Sequence, residues 1–263
     1  MQIIKVGMIN AMNKTRGCEK APDKILASLK EIGSTELGKI IDFGKLNIEE
    51  IHVNLNNLEE SNYLIFENSK EIFEKNSKAF FIGGDHSISF PILNAFNKIE
   101  KNPFLIIFDA HADCMKPGKE PTHEEWLSRL IKEGFDSSRI ILISARNFWE
   151  EELEFLKKTK LVVIKREVLE ESIHEVCDLI MERARNSSGF YISIDIDSVD
   201  PAFAPGTGYI EPGGLSSREL IYFIKRLSLL NNFRGGDIVE INPDLDNRNM
   251  TVKLGAKILS EMI

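Results

Sequence analysis

The chain has 263 residues, enough for one large α/β domain or two small ones. Its formal net charge of −8 argues against binding to nucleic acid or to an anionic membrane surface, whereas a small cation would be attracted. No apolar run approaches the ~20 residues that a membrane span needs, and three scattered cysteines favour a reducing compartment over a disulfide scaffold. We therefore expect a cytoplasmic protein.

Short apolar runs alternate with amphipathic segments along the whole chain. The runs predict eight strands, at 2–9, 40–43, 79–82, 104–108, 139–144, 161–164, 190–195 and 237–241. The segments between and after them predict helices at 22–30, 63–75, 88–97, 122–133, 147–158, 167–185, 216–230 and 250–263, with a surface loop at 47–57. Such alternation predicts a mainly parallel eight-stranded sheet covered by helices on both faces. We expect one three-layer α/β/α domain over residues 1–263.

Residues 104–113 combine a buried strand with three side chains of the metal-binding type. Five apolar residues lead into Asp109, His111 and Asp113, which alternate with alanine. Alternation at a period of two places the three polar side chains on one face, roughly 7 Å apart in succession. Three such groups on one face indicate a metal site, and the alternative is a strand that simply surfaces into a polar loop.

Two further strand ends carry groups of the same kind. Residues 190–197 end in Asp195 and Asp197, and residues 79–87 pass through two glycines to Asp85 and His86. Parallel sheets place ligand sites outside the carboxyl ends of their strands. If these ends meet, the crowded carboxylates must protonate or bind cations. Two ions can share this many groups, so the sequence predicts a two-metal site.

Three motifs resemble the signatures of the ureohydrolases, the family of arginase, agmatinase, guanidino-acid hydrolases and formiminoglutamase. They are GGDHS at 83–87, DAHAD at 109–113 and SIDIDSVDP at 193–201, and the likeness continues at 204–208, 213–215 and 237–243. The resemblance implies an arginase-like fold, a homo-oligomer (commonly a trimer or hexamer) and six metal ligands: His86, Asp109, His111, Asp113, Asp195 and Asp197. Carboxylates with some imidazole and no thiolate suit Mn²⁺ better than Zn²⁺, so two Mn²⁺ ions per chain are expected.

The same resemblance implies a hydrolase that cleaves the guanidinium C–N bond of a small cationic substrate, giving urea and an amine. In that mechanism a metal-activated hydroxide attacks the guanidinium carbon, and a general acid protonates the leaving amine. The catalytic residues that it implies are His123, Asp197 and Glu240. His123 would be the proton shuttle, and Glu240 would hold the planar guanidinium through two parallel hydrogen bonds.

The surroundings of His123 and Glu240 leave alternatives open. Thr122 and Glu125 have capping-box spacing, which would place His123 in the first turn of a helix, where the dipole disfavours imidazolium. The family's usual glycine does not follow this histidine, since position 124 is Glu124. The alternative for His123 is a solvent-exposed histidine at a helix start without a catalytic role. The alternative for Glu240 is a structural carboxylate that pairs with Arg or Lys.

Two positions depart from arginases and bear on the substrate. Met115 stands where arginases place an asparagine for the substrate carboxylate, and Trp149 where they place an acid for the α-ammonium. An α-amino acid head would lose two polar partners there, whereas an alkylammonium could use the glutamates at 150–152 and an aromatic face. We therefore expect agmatine to be cleaved to putrescine and urea. If Lys116 or Lys119 receives a carboxylate, guanidino acids or formiminoglutamate are favoured instead, and arginase activity is a further alternative.

Two readings outside this family are weaker. A zinc deacetylase of related architecture would bind one metal and would not need both the 109–113 motif and the motif at Glu240. A non-catalytic metal-dependent binding protein would tolerate loss of ligands, and all six are present.

Overall fold

The computed structural model describes residues 1–10 and 12–263. Within them, eight strands form one sheet: β1 (Gln2–Val6), β2 (Ile48–Glu50), β3 (Ala79–Gly83), β4 (Pro103–Phe108), β5 (Ile140–Ala145), β6 (Val162–Lys165), β7 (Gly189–Asp195) and β8 (Phe233–Val239). Their order across the sheet is β2-β1-β3-β8-β7-β4-β5-β6, and every pairing is parallel. The predicted parallel eight-stranded sheet is confirmed.

Helices connect the strands and cover the sheet. In the described part of the chain they are α1 (Met12–Thr15), α2 (Ala21–Leu29), α3 (Leu58–Lys75), α4 (Ser89–Ile99), α5 (Trp126–Lys132), α6 (Glu150–Leu156), α7 (Arg166–Arg185), α8 (Ser217–Ser228) and α9 (Met250–Met262). None of the helices described there is long and apolar enough to cross a membrane.

Each central strand contributes to two hydrophobic cores, because successive side chains of a strand point to opposite faces. From β4, Phe104, Ile106 and Phe108 pack in a core with side chains of α2, α7, α8 and α9. Leu105 and Ile107 pack on the other face with side chains of α3, α4 and α5. Burial on both faces explains why these strands read as continuous apolar runs, and it gives the predicted α/β/α layers.

The edge of the sheet differs from the prediction. The predicted strand at 40–43 is wrong: Ile40 forms an isolated antiparallel bridge with Ser34, and a 3₁₀ turn begins at Phe43. The edge strand is β2, which lies inside the segment predicted to be a loop. Its sequence, Ile-Glu-Glu, is exposed apart from the half-buried Ile48, and a short, charged edge strand of this kind carries no apolar run.

The carboxyl ends of β3, β8, β7 and β4 lie side by side, and the loop that follows β1 contacts them. The N–H groups of Gly84 and Asp85 donate to the carbonyl oxygens of Val6 and Met8, at 3.0 Å each. A Cβ at Gly84 would lie 1.9 Å from the Met8 oxygen, so a side chain cannot fit. The turn at Gly84 therefore packs closely on this N-terminal loop.

Candidate metal centre and substrate pocket

The ends of β3, β4 and β7 bring together all six side chains predicted to bind metal. Two groups that share Asp109 have ligand atoms within 4.8 Å of one another and could each hold an ion: His86 with Asp109 and Asp195, and His111 with Asp109 and Asp197. Asp113 joins the first group through a contact with His86. We call His86, Asp109, Asp113 and Asp195 the inner cluster, and Asp109, His111 and Asp197 the outer cluster.

The side chains of the inner cluster are almost entirely buried. Nδ1 of the fully buried His86 lies 3.1, 3.0 and 3.2 Å from carboxylate oxygens of Asp109, Asp113 and Asp195. His86 Nδ1 and Asp109 Oδ2 are nevertheless buried atoms without a hydrogen bond of acceptable geometry. Buried nitrogen and oxygen donors that face one another without pairing are the environment a divalent cation requires, so these residues fit a metal ion.

A hydrogen-bond chain fixes the orientation of His86. Its Nε2 lies 3.0 Å from Ser193 Oγ, and the Ser193 hydroxyl donates to Asp237 Oδ1 at 2.7 Å. Because the hydroxyl proton goes to Asp237, Nε2 must carry the imidazole proton and donate it to Ser193. Nδ1 is then the nitrogen that faces the carboxylates, and it would ligate a bound metal through its lone pair. Ser193 and Asp237 lie in two quoted motifs, but their sequence spacing gave no sign of this support.

The outer cluster opens toward solvent. His111 Nδ1 lies 2.9 Å from Asp197 Oδ2 and 3.6 Å from Asp109 Oδ1, and its side chain is 18% exposed. On the far side of the ring, His111 Nε2 lies 3.4 Å from Glu211 Oε1. The ring also packs edge-on against Tyr209, with centroids 5.9 Å apart. This cluster therefore has fewer ligand groups and a partly solvated histidine.

Crowding of the carboxylates perturbs their protonation. Burial, and then the negative charge of Asp109, raises the pKa of Asp113 to about 8. Burial also raises the pKa of Asp195, with Asp197 and Asp109 adding to the effect. Burial alone would lower the pKa of His86, but the three surrounding carboxylates raise it above its usual range. These shifts favour bound protons, which neutralise the crowded carboxylates. A bound cation would neutralise them in place of the protons.

Backbone contacts hold the ends of β4 and β7 against each other. Asp197 Oδ1 accepts the N–H of Ala110 at 3.1 Å, and Asp109 Oδ1 accepts that of His111 at 2.7 Å. The guanidinium of Arg146 donates to the carbonyl oxygens of Asp197 and Glu211, at 2.7 and 2.6 Å. Arg146 thus ties the loop after β7 to the end of β5, a role that sequence reasoning missed.

Both clusters open into a cavity of about 230 Å³. Its wall contains the predicted catalytic residues and several that were not predicted. The lining residues are Lys14, His111, Asp113, His123, Glu124, Asn147, Trp149, Glu152, Asp195, Asp197, Tyr209, Glu211 and Glu240. The structure therefore brings His123, Asp197 and Glu240 to one cavity, as a shared reaction site requires.

His123 reaches the cavity from a turn rather than from a helix. The predicted helix start at Thr122 is wrong, because α5 begins at Trp126. The His123 side chain is only 12% exposed, and both ring nitrogens are buried without a hydrogen-bond partner. Burial lowers its pKa, although the charges of Asp85 and Glu124 partly oppose the shift. The pKa is thus lowered as expected, but by burial and not by a helix dipole.

Glu240 is held at the end of β8 in a left-handed backbone conformation, with φ of 63°. Its Oε1 accepts the N–H of His86 at 2.8 Å, and the Cys18 sulfur lies 4.0 Å from its Oε2. Burial, followed by the charge of Asp85, raises its pKa. The hydrogen bonds described for Glu240 come from neither Arg nor Lys, which leaves lone pairs on both oxygens available to a cationic ligand.

The positions predicted to read the substrate are only partly in the cavity wall. Trp149 lines it and is 64% exposed. Glu152 also lines it, but its oxygens accept the N–H groups of Cys114 and Trp149, at 3.1 and 2.9 Å. Met115 is not part of the described lining, and Lys119 pairs with surface Glu59 at 2.6 Å. Cys114, which follows Asp113 directly, is buried.

Comparisons with known proteins agree with this geometry. A sequence model described as the Arginase family matches residues 1–263. The chain is 30% identical to an agmatinase of Bacillus subtilis over 226 residues, covering 85% of this chain and 76% of that protein. It is 32% identical to a guanidinobutyrase of Pseudomonas aeruginosa over 232 residues, covering 84% and 72%. A formimidoylglutamase structure from Bacillus subtilis superposes with a TM-score of 0.90 at 26% identity, covering 99% and 85%.

Proposed function

Because the chain belongs to the arginase family, we propose that it is a hydrolase that cleaves the guanidinium C–N bond of agmatine, giving putrescine and urea. The family membership and the His/Asp centre support guanidino hydrolysis. The relatives named above carry different substrate names at similar identity. The choice of agmatine therefore rests on the wall of the cavity.

The six residues of the two clusters are proposed to hold two Mn²⁺ ions. Imidazole and carboxylate donors without thiolate favour Mn²⁺ over Zn²⁺. When bound, the ions would supply a water whose pKa is low enough to give a hydroxide near neutral pH. The inner cluster meets the cavity only through Asp113 and Asp195, whereas the outer cluster presents His111 and Asp197 to it, so we place the substrate on the side of the outer cluster.

Glu240 and His123 are proposed to do the remaining work. The Glu240 carboxylate, already fixed by the His86 N–H, would accept two N–H bonds from the guanidinium and place its carbon beside the two clusters. His123, whose pKa is lowered by burial, would accept the proton that the attacking water releases and deliver it to the nitrogen of the leaving amine. Its unpartnered ring nitrogens are free for both transfers.

The observation that carries the substrate assignment is the charge of the outer wall. Beyond the clusters and Glu240, the described lining has three acidic residues, Glu124, Glu152 and Glu211, and a single basic one, Lys14. The aromatic faces of Trp149 and Tyr209 complete it. Carboxylates and aromatic faces favour an ammonium at the far end of the substrate, and they disfavour an α-carboxylate.

Lys14 favours a second candidate, a guanidino acid. Its Nζ lies 4.4 Å from the centroid of the Tyr209 ring, inside the cavity wall, where it could meet a carboxylate. One relative is named for such an activity. The lysines that the sequence suggested for this role do not compete with it, because neither Lys116 nor Lys119 belongs to the described lining.

The deciding experiment is a comparison of kcat/KM for agmatine, arginine, guanidinobutyrate and formiminoglutamate under one Mn²⁺ condition. We expect agmatine to exceed each of the others by about tenfold or more, one unpaired charge at the outer wall being worth at least about 1.4 kcal/mol. Lys14→Met should leave agmatine cleavage faster or unchanged. A preference for guanidinobutyrate that Lys14→Met abolishes would establish the second candidate instead.

A further inference from the structure

Trp126, the first residue of α5, lies fully buried against the inner cluster. Its indole N–H donates to Asp113 Oδ2 at 2.7 Å, and this same oxygen lies 3.0 Å from His86 Nδ1. The indole ring also packs on the His86 ring, with centroids 4.5 Å apart and planes inclined by 39°. One side chain therefore contacts two members of the inner cluster.

Asp113 needs such support because its backbone is strained. Its φ of 51° is left-handed, a conformation that is unfavourable for a residue with a side chain. Two contacts from α5 oppose this cost: the indole N–H on the carboxylate and the N–H of Leu127 on the Asp113 carbonyl, at 3.2 Å. The start of α5 thus sets both the backbone and the side chain of Asp113.

We propose that Trp126 is a positioning residue that orients Asp113 toward the inner cluster and thereby controls the affinity of that cluster, but not of the outer one, for its ion. The proposal rests on the metal centre assumed in the proposed function. A carboxylate ligand binds an ion well only when its other lone pairs are held by a fixed donor. The indole N–H is such a donor, since it is neutral, buried and bound to a rigid ring.

The contacts of the outer cluster explain the selectivity. His111 packs on Tyr209 and lies near Glu211, and the described contacts of Trp126 go to Asp113 and His86 instead. Shared Asp109 is the one member through which a disturbance could pass between the clusters. It is held by the His111 backbone N–H, which does not involve α5.

The chain has two tryptophans, and the other, Trp149, is 64% exposed. In a Trp149→Phe protein the indole emission therefore comes from Trp126 alone. Mn²⁺, which is paramagnetic, should quench this emission with the first equivalent added and have little further effect with the second. The equivalent that quenches identifies the ion of the inner cluster, and no quenching while both ions bind would overturn the proposal without the need for any change at Trp126.

The second arm is a calorimetric titration of metal-free Trp126→Phe, which keeps an aromatic ring but lacks the N–H donor. We expect the affinity for the first ion to fall by about 10–100-fold, as for other lost supports of metal ligands, with two ions still bound at saturation. Trp149→Phe is the matched control and should retain both affinities.

Unchanged affinities in a folded Trp126→Phe, or an equal loss of both, would contradict the proposal. Because these measurements follow metal binding and not turnover, they are independent of the substrate. A protein that passes both arms but cleaves no guanidino compound would refute the proposed function and leave the role of Trp126 standing.

Discussion

The inner and outer clusters share Asp109 but differ in almost every other respect. The inner cluster is fully buried, its histidine is bound on the far side by Ser193, and Trp126 covers it. The outer cluster has a histidine that is 18% exposed, and Glu211, itself 24% exposed, lies beside its far nitrogen. Imidazole and carboxylate ligands thus form one site that is almost entirely buried and one that is partly open to solvent.

This difference separates two tasks of a hydrolytic centre. Buried ligands with fixed hydrogen-bond partners favour tight binding, because little reorganisation accompanies metal entry. An open cluster leaves room for water and substrate, as catalytic metal sites require. We therefore expect the inner cluster to bind its ion first and hold it, and the outer cluster to bind more weakly and to face the substrate.

The largest effect should come from Asp109→Ala, because both clusters use this carboxylate. Removal should abolish binding of both ions and lower kcat by at least about 10⁴-fold, since metal assistance supplies several kcal/mol and each ~1.4 kcal/mol is a factor of ten. Metal analysis after gel filtration and a urea assay measure the two losses. Asp23→Ala removes an exposed carboxylate of α2 and should change neither. If Asp109→Ala retained one full equivalent of Mn²⁺, one of the two clusters would bind its ion without Asp109.

His123→Ala should slow turnover by about 10²–10⁴-fold while both ions remain bound, because a proton shuttle is not a ligand. His52→Ala, which removes a surface histidine that is 87% exposed, is the control and should behave as the wild type. Steady-state kinetics combined with metal analysis separate the two effects. If His123→Ala lost no more than about twofold of the wild-type activity, the loss would be far smaller than general acid–base catalysis contributes. That result would remove His123 from the mechanism.

Each of the two ligand histidines has a supporting residue that can be changed alone. Ser193→Ala breaks the buried link from His86 to Asp237. It should lower the affinity for the first Mn²⁺ ion by about 10–100-fold. Glu211→Gln neutralises a partly solvated neighbour of His111. It should lower the affinity for the second Mn²⁺ ion by less than about tenfold, because solvent screens the charge of Glu211. Calorimetric Mn²⁺ titration gives both values. The opposite ranking would contradict the assignment of rigidity to the inner cluster.

The smallest effect concerns a region remote from both clusters. Hydrogen bonds from Arg218 and Lys225 of α8 lower the pKa of Glu36 from 4.5 to about 2. A lowered carboxyl pKa stabilises the fold above pH ~4.5, and this contribution is lost as the pH falls through the folded value. Glu36→Gln should therefore reduce the free energy of unfolding by about 1 kcal/mol or less at pH 7, a difference that shrinks below pH ~4.5. Urea unfolding of the wild type and of Glu36→Gln, at pH 7 and below pH ~4.5, measures this difference in the free energy of unfolding. Altered Mn²⁺ affinity in this variant would show that the clusters respond to general stability.

The sequence predicted the members of the metal centre but not what supports them. The candidate ligands follow buried apolar strands, and a parallel sheet brings the ends of such strands together, so the strand pattern predicted that these groups meet. The choice of six among them came from the family resemblance. The link from His86 to Ser193 joins residues 107 positions apart, and no local pattern reports such a contact. Likewise, capping-box spacing at Thr122 predicted a helix, but Glu125 Oε2 accepts the N–H groups of Thr122 and Gly118 in a turn before α5.

The edge strand was missed for a different physical reason. β2 has three residues and lies half in solvent, so its backbone pairing with β1 does not require an apolar run. The nearby run at 40–43 was mistaken for it. Two residues of the cavity wall were also missed, since Lys14 of α1 and Tyr209 of a loop lie about two hundred positions apart in the chain and meet only in the folded protein.

The most direct test of the difference between the clusters is a crystal structure of the protein grown with one equivalent of Mn²⁺, with the ion located by its anomalous scattering. We predict one strong peak among His86, Asp109, Asp113 and Asp195, and a second peak beside His111 and Asp197 only when Mn²⁺ is in excess. A first peak at His111, or two peaks of equal occupancy at one equivalent, would contradict the account.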